Sequence, residues 1–281
     1  MKQRKSFGYY FLRNKNGMIG LIGVALIVIL GVIAPFLVAY PEGYTADILL
    51  APSLSHPLGT DKLGLDILAE VIWGARTSLY VSLTAVVISA LIGIPAGLIS
   101  GFVKGWLGEI IDACIDIFLT LPMLPLMIIM AAIMGTSINN VALVIGLFSW
   151  PQLARVTKNA TLKISEMQYI EAATCLGLSK PRILFKHVLL NATGPVFVNL
   201  TLIMASAVLS EASLSFLGLG DPTTWSWGTI LKRAWTSNAV ISSPNPWWWW
   251  LIPGLCIVIF VVCFNMLGTA INDILNPKGR D

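Results

Sequence analysis

The chain has 281 residues, of which 56% are hydrophobic and only 11% charged, and its mean hydropathy is +0.81. Eighteen basic and 14 acidic residues are too few to cover a water-soluble domain of this length, so lipid must replace water around most of it. In hydrocarbon every backbone N–H and C=O needs an internal partner, and long unbroken apolar runs select a helical bundle over a closed β-barrel.

The interval between Lys15 and Glu42 carries no charge. It exceeds the roughly 20 apolar residues that cross a bilayer core, and predicts a first span near Met18–Val38. It is too long for a signal peptide and lacks a clear small-residue cleavage site. The uncharged stretch Thr77–Val103 supplies a second span near Leu79–Ile99. The uncharged stretch Ile117–Ala154 is too long for one crossing, and the turn formers Gly135–Asn140 divide it into a hairpin of spans near Ile110–Met134 and Ile138–Ala154. A fifth span fits Thr193–Leu217 and a sixth fits Trp248–Ile271. The expected fold is an all-α membrane protein with six transmembrane helices. Its parts are a tail (1–17), a first helix with an outer loop (18–78), a five-helix core (79–272) and a second tail (273–281).

Six crossings place both termini on one side. With them go the loops after spans two and four, and together these segments hold 14 of the 18 basic residues. The other side holds Lys62, Arg76, Lys232 and Arg233, so the positive-inside rule predicts cytoplasmic termini. Because the basic residues follow membrane sidedness, nucleic-acid binding is not expected from the net charge of +4. Trp225, Trp227, Trp235 and Trp247–Trp250 then lie on the outer side, read as headgroup-level anchors, with a sugar-stacking platform as the alternative.

Catalytic signatures are missing: there is no phosphate-binding loop, no nucleophile elbow and no zinc-protease helix. Cys114, Cys175, Cys256 and Cys263 form no disulfide or metal pattern and read as small hydrophobes. Asp112 and Asp116 on span three and Glu211 on span five lie too far apart along the membrane normal for a proton relay, and read as interfacial capping and helix–helix hydrogen bonding. Gly93, Gly97 and Gly101 recur every fourth residue on span two and predict close approach of another helix.

The cytoplasmic segment at about 160–191 is the informative one. Ser165 is placed to cap a helix whose apolar stripe is Met167, Ile170, Ala173 and Thr174, and Gly177 supplies its stop before a second, basic-amphipathic helix. Such a surface helix suits a partner's groove or a bed of anionic headgroups equally. Glu171-Ala172-Ala173, then Gly177, Leu178 and Ile183, resembles the EAA loop of the integral-membrane permeases of binding-protein-dependent ABC importers.

Further motifs narrow the resemblance: His56–Asp61, Gly74-Ala75-Arg76, Glu211–Gly220, Ser226-Trp227-Gly228 and Phe264–Gly268 are similar to the C-type permease of dipeptide/oligopeptide importers. Leu65 and Leu190 depart from that pattern, which has Arg and Pro there. The resemblance implies a type I importer fold in a prokaryotic cytoplasmic membrane, with Glu171, Ala172, Ala173, Gly177, Leu178 and Ile183 coupling to an ATPase. It also implies a second homologous permease, two ATPase subunits that bind ATP and Mg, an extracytoplasmic binding protein, and no catalysis or cofactor in this chain. Oligosaccharide, nickel or glutathione import is the runner-up, and a self-contained secondary carrier the distant one.

Overall fold

Helix boundaries follow local chemistry. The computed structural model describes residues 7–275, and the expected tail charges Lys2, Arg4, Lys5, Lys278 and Arg280 lie outside them. Among the described residues the chain folds into α1 (Phe7–Arg13), α2 (Lys15–Leu37), α3 (Ile67–Phe102), α4 (Trp106–Thr120), α5 (Met123–Met134), α6 (Ile138–Ser165), α7 (Gln168–Cys175), α8 (Lys180–Ile183), α9 (Leu189–Phe216), α10 (Trp227–Thr236) and α11 (Trp247–Leu275). A π turn, Leu184–Val188, joins α8 to α9. Asn14 caps α2 by accepting from the Gly17 amide, Asp66 caps α3 through the Leu68 amide, and Ser226 and Thr229 cap α10 reciprocally.

Four helical segments are long and apolar enough to cross a membrane: α2, α3, α8 through α9, and α11. The expected third span is not one straight helix. It breaks into α4 and α5 with a bend of 92°, because Leu121 precedes Pro122 and is driven to extended geometry. The expected fourth span is the first part of α6, which Asn139, Asn140, Gln152 and Arg155 make less apolar than the others. Three further boundaries differ from the expectation. The N-terminal tail is helical from Phe7, α3 begins at Ile67 rather than Leu79, and α6 runs on to Ser165, carrying Arg155, Lys158 and Lys163 on a helix rather than a loop. Hydropathy marks where lipid contact ends; backbone hydrogen bonding continues the helix beyond it.

Small residues set how close the helices come. Gly93, Gly97 and Gly101 of α3 face α6: a Cβ on Gly93 would sit 2.7 Å from the Trp150 carbonyl, one on Gly97 would strike the Ala154 carbonyl, and one on Gly101 would lie 2.8 Å from Thr161 Cβ. From α6, Gly146 meets Ile88 in the same way.

The end of the bundle formed by loop 38–66, α10 and the start of α11 is capped by a tryptophan-rich core rather than a ring of anchors. Trp225, Trp227, Trp248 and Trp249 are buried, and only Trp235 and Trp247 of the predicted set are exposed. Three of these indoles find backbone acceptors: Trp225 donates to the Pro41 carbonyl at 2.8 Å, Trp227 to Val71 at 3.1 Å and Trp248 to Thr60 at 3.1 Å. These bonds tie loop 38–66 and α3 to α10 and α11, and burial removes the four rings from any sugar-stacking platform.

Candidate functional site

The end of the bundle that carries α7 presents one small knuckle. After α6 the chain turns through Glu166 and Met167 into α7. Ser165 ends α6 and does not cap α7; its hydroxyl is buried without a partner, and the Met167 carbonyl accepts from Ile170 and Glu171 instead. The expected cap fails because the turn between the helices is two residues long, which leaves Ser165 inside the preceding helix.

Gly177 ends α7 with φ +77°. Its amide bonds back to the Thr174 carbonyl at 3.0 Å and the Leu178 amide to Ala173 at 3.2 Å, a Schellman closure. Nothing lies within 4 Å of a Cβ placed at Gly177, so the left-handed backbone, not crowding, selects glycine there.

Ile170 and Ala173 bury one face of α7 against Leu98 of α3, Ile164 of α6, and Ile183, Leu184 and Val188 at the start of the α8–α9 segment. Leu178 packs against the same cluster at partial burial. The opposite face is open: Tyr169, Glu171, Ala172 and Leu176 are exposed, Leu176 by 80%. Met167 and Thr174 of the expected stripe are also exposed, because the buried face is only two residues wide. The second amphipathic helix is not separate; α8 and the π turn feed directly into α9, and the helix passes through Leu190 without a break. One apolar cluster thus joins α7 to α3, α6 and the α8–α9 segment.

Two ion pairs escaped the sequence reading. Arg155 pairs with Asp116, and Lys158 with Asp112 at 2.5 Å, clamping α4 to α6 just above the knuckle. The sequence shows acids four apart and bases three apart; their pairing requires α6 to continue as a helix through Arg155 and Lys158. Glu211 is 2% exposed and accepts from Ser78 of α3 at 3.2 Å and from Ser215 at 2.7 Å, the helix–helix bonding expected of it.

In loop 38–66 His56 sits between Asp66 at 3.0 Å and Asp47 at 3.7 Å, serving the fold of the loop. Asp61 is buried beside it in sequence; its Oδ1 accepts from the amides of Leu63 and Leu65 at 2.7 and 2.8 Å. Burial raises its carboxyl above the usual aspartate range, and those two backbone bonds offset part of the rise. Among the described residues no group of three or more His, Cys, Asp or Glu side chains is arranged to hold a metal ion.

Comparison with known proteins gives this geometry a context. Residues 93–281 match the family model of the binding-protein-dependent transport system inner membrane component, and residues 3–52 match the N-terminal transmembrane domain of oligopeptide transport permease C. The chain is 37% identical to the di/tripeptide transport system permease protein DppC of Pseudomonas aeruginosa, over 98% of this chain and 92% of the relative. It is 36% identical to the dipeptide transport system permease protein DppC of Escherichia coli K12, over 99% and 94%. With the oligopeptide transport system permease protein OppC of Bacillus subtilis it shares 34%, over 96% and 88%. Among solved structures, the inward-facing MetNI methionine ABC transporter matches the fold with a TM-score of 0.62 at 18% identity, covering 75% of this chain and 98% of that one. The chain is therefore a multi-span permease that belongs to the binding-protein-dependent transport system inner membrane component family.

Proposed function

We propose that this chain is one of two transmembrane subunits of an ATP-driven importer of di- or oligopeptides, and that α7 is the helix through which the ATPases drive it. The observation that carries this reading is the knuckle itself. Ile170 and Ala173 anchor α7 to three bundle helices, while Tyr169, Glu171, Ala172 and Leu176 are left without a covering surface in this chain. A partner groove is the natural cover for such a face. Headgroups, the other candidate, account less well for an 80% exposed Leu176 held beside a glycine stop at the tip of a loop.

In this reading Glu171 orients the helix on the ATPase, Gly177 and Leu178 fix the turn, and Ile183 carries the push into α9. Each ATPase would bind ATP and Mg, and closure of the pair would shift α7 and re-pack α3, α6 and α9 between outward- and inward-facing states. A second homologous permease would supply the other wall of the pathway, and an extracytoplasmic binding protein would deliver the substrate. Both termini would be cytoplasmic, in keeping with the charge asymmetry. Peptides are favoured as cargo by the names of the similar permeases, among them a glutathione transport system permease of Pectobacterium atrosepticum at 34% identity. Burial of four tryptophans weakens the saccharide alternative.

Gentle purification of the tagged chain from its native membrane, with mass spectrometry of the intact assembly, tests this. Recovery with a second permease and two ATPases, and ATP-dependent peptide uptake in liposomes containing the binding protein, are expected. Recovery alone with ATP-independent uptake would return the protein to the secondary-carrier class.

A further inference from the structure

A cavity of about 170 Å³ lies at the outer end of the bundle, between α10, the loop 218–222 that follows α9, and Thr136 in the turn between α5 and α6. One face of α10 forms its wall, because Thr229, Lys232, Arg233 and Thr236 recur at the spacing of successive helical turns. No acidic side chain lines it, and among the described residues no carboxylate forms an ion pair with Lys232 or Arg233.

The two cations are held differently. Arg233 stacks 3.9 Å above the Trp225 ring and donates to the Pro222 carbonyl at 3.4 Å. Lys232 is half-buried, and among the described residues no hydrogen bond or ion pair holds its ammonium. The wall hydroxyls are committed elsewhere: Ser215 donates to Glu211, Thr229 to the Ser226 carbonyl and Thr236 to the Lys232 carbonyl. Among the described residues the Lys232 ammonium is thus the charged lining donor with nothing to bind, and the Thr136 hydroxyl is the neutral one. Gly218, at φ +91°, keeps its reach clear, since a Cβ there would lie 2.7 Å from Nζ.

We propose that this cavity is a subsite for the C-terminal carboxylate of the translocated peptide. A partly buried, unpaired ammonium backed by a fixed guanidinium favours an anion, and its charge-assisted hydrogen bonds are the strong kind. The volume is below the roughly 300–1,000 Å³ of sites that enclose a whole small molecule, which suits one end of a chain rather than its body. The assignment rests on the peptide-import reading above and adds to it a specificity determinant within the permease: Lys232 distinguishes a free carboxylate from its amide.

The test uses the complete permease–ATPase complex without binding protein, with Thr136→Cys as a reporter at the cavity rim. Millimolar trialanine should slow alkylation of this cysteine severalfold, trialanine amide should not, and Lys232→Gln should abolish the difference while Lys232→Arg restores it. Equal protection by the two peptides, or none by either, overturns the subsite. Protection by added binding protein alone, with no effect of peptide, also overturns it and makes the cavity a docking contact. If Thr136→Cys does not assemble, Thr236→Cys carries the same label. ATP-driven uptake of trialanine by the unmodified complex is measured in parallel; its absence removes the peptide reading, whereas normal uptake with no protection removes only the subsite.

Discussion

Ser78 of α3 donates a hydrogen bond to Glu211 of α9 at 3.2 Å, joining two residues 133 positions apart in the sequence inside the protein. Ser215, one turn beyond Glu211, supplies a second bond at 2.7 Å. Removing the shared acceptor leaves two buried hydroxyls unpaired, which costs about 2 kcal/mol. Glu211→Ala should lower the melting temperature of the detergent-solubilised complex by several degrees, and Glu211→Gln, which keeps an acceptor oxygen, should lower it less. Equal losses in the two variants would place the effect in side-chain volume instead.

The Gly97 position of α3 is closed by the Ala154 carbonyl and Thr157 Cβ of α6. Backbone cannot yield as a flexible side chain does, so Gly97→Leu must push the helices apart, at about 1–3 kcal/mol for overpacking. The yield of correctly assembled complex on size exclusion should fall. Gly254, with nothing within 4 Å of a Cβ, should accept alanine with no change in yield.

Charge exchange tests the clamp above the knuckle. Lys158→Glu sets two acids against each other across α4 and α6 and should destabilise by about 1–2 kcal/mol, since the pair is partly buried. Adding Asp112→Lys should recover part of that loss. A double variant no better than the sum of the singles in thermal unfolding would show that the pair contributes no coupling.

The αL turn at Gly177 gives a functional prediction. A β-branched residue at φ +77° is strained by about 1–2 kcal/mol, so Gly177→Val should displace the turn after α7 while the bundle still assembles. The expected phenotype is ATP hydrolysis without peptide uptake; normal transport by an assembled Gly177→Val complex would remove the turn from the coupling mechanism.

Asp61 predicts a pH dependence. Its carboxyl is raised in the folded protein by burial, so the folded state binds its proton more tightly than the unfolded chain does. The favourable contribution is fully present below the unfolded pKa and is lost as pH rises through the folded one. Asp61→Asn keeps an acceptor for the Leu63 and Leu65 amides while removing the buried charge. It should raise the melting temperature at neutral pH, with a gain that shrinks on acidification. A gain independent of pH would mean that ionisation of Asp61 is not its source.

The linear sequence by itself determined the helical membrane class, the approximate positions of the apolar spans, the Gly93–Gly97–Gly101 packing stripe and the Gly177 stop. Each depends on short-range rules: lipid demands unbroken apolar length, and a left-handed turn demands glycine. Only the tertiary structure decided the rest. The size of the break at Pro122, 92°, is invisible to hydropathy because the two halves together are apolar enough to pass as one span. The tryptophans read as interfacial anchors until the fold brought the Pro41, Val71 and Thr60 carbonyls to three of their indole N–H groups. Arg155 and Lys158 read as loop charges until α6 proved long enough to bring them to Asp116 and Asp112. For the indoles and the ion pairs the partner lies far away in the chain. Composition reports the solvent that a segment prefers, whereas hydrogen-bond and charge partners across helices exist only after the bundle has closed.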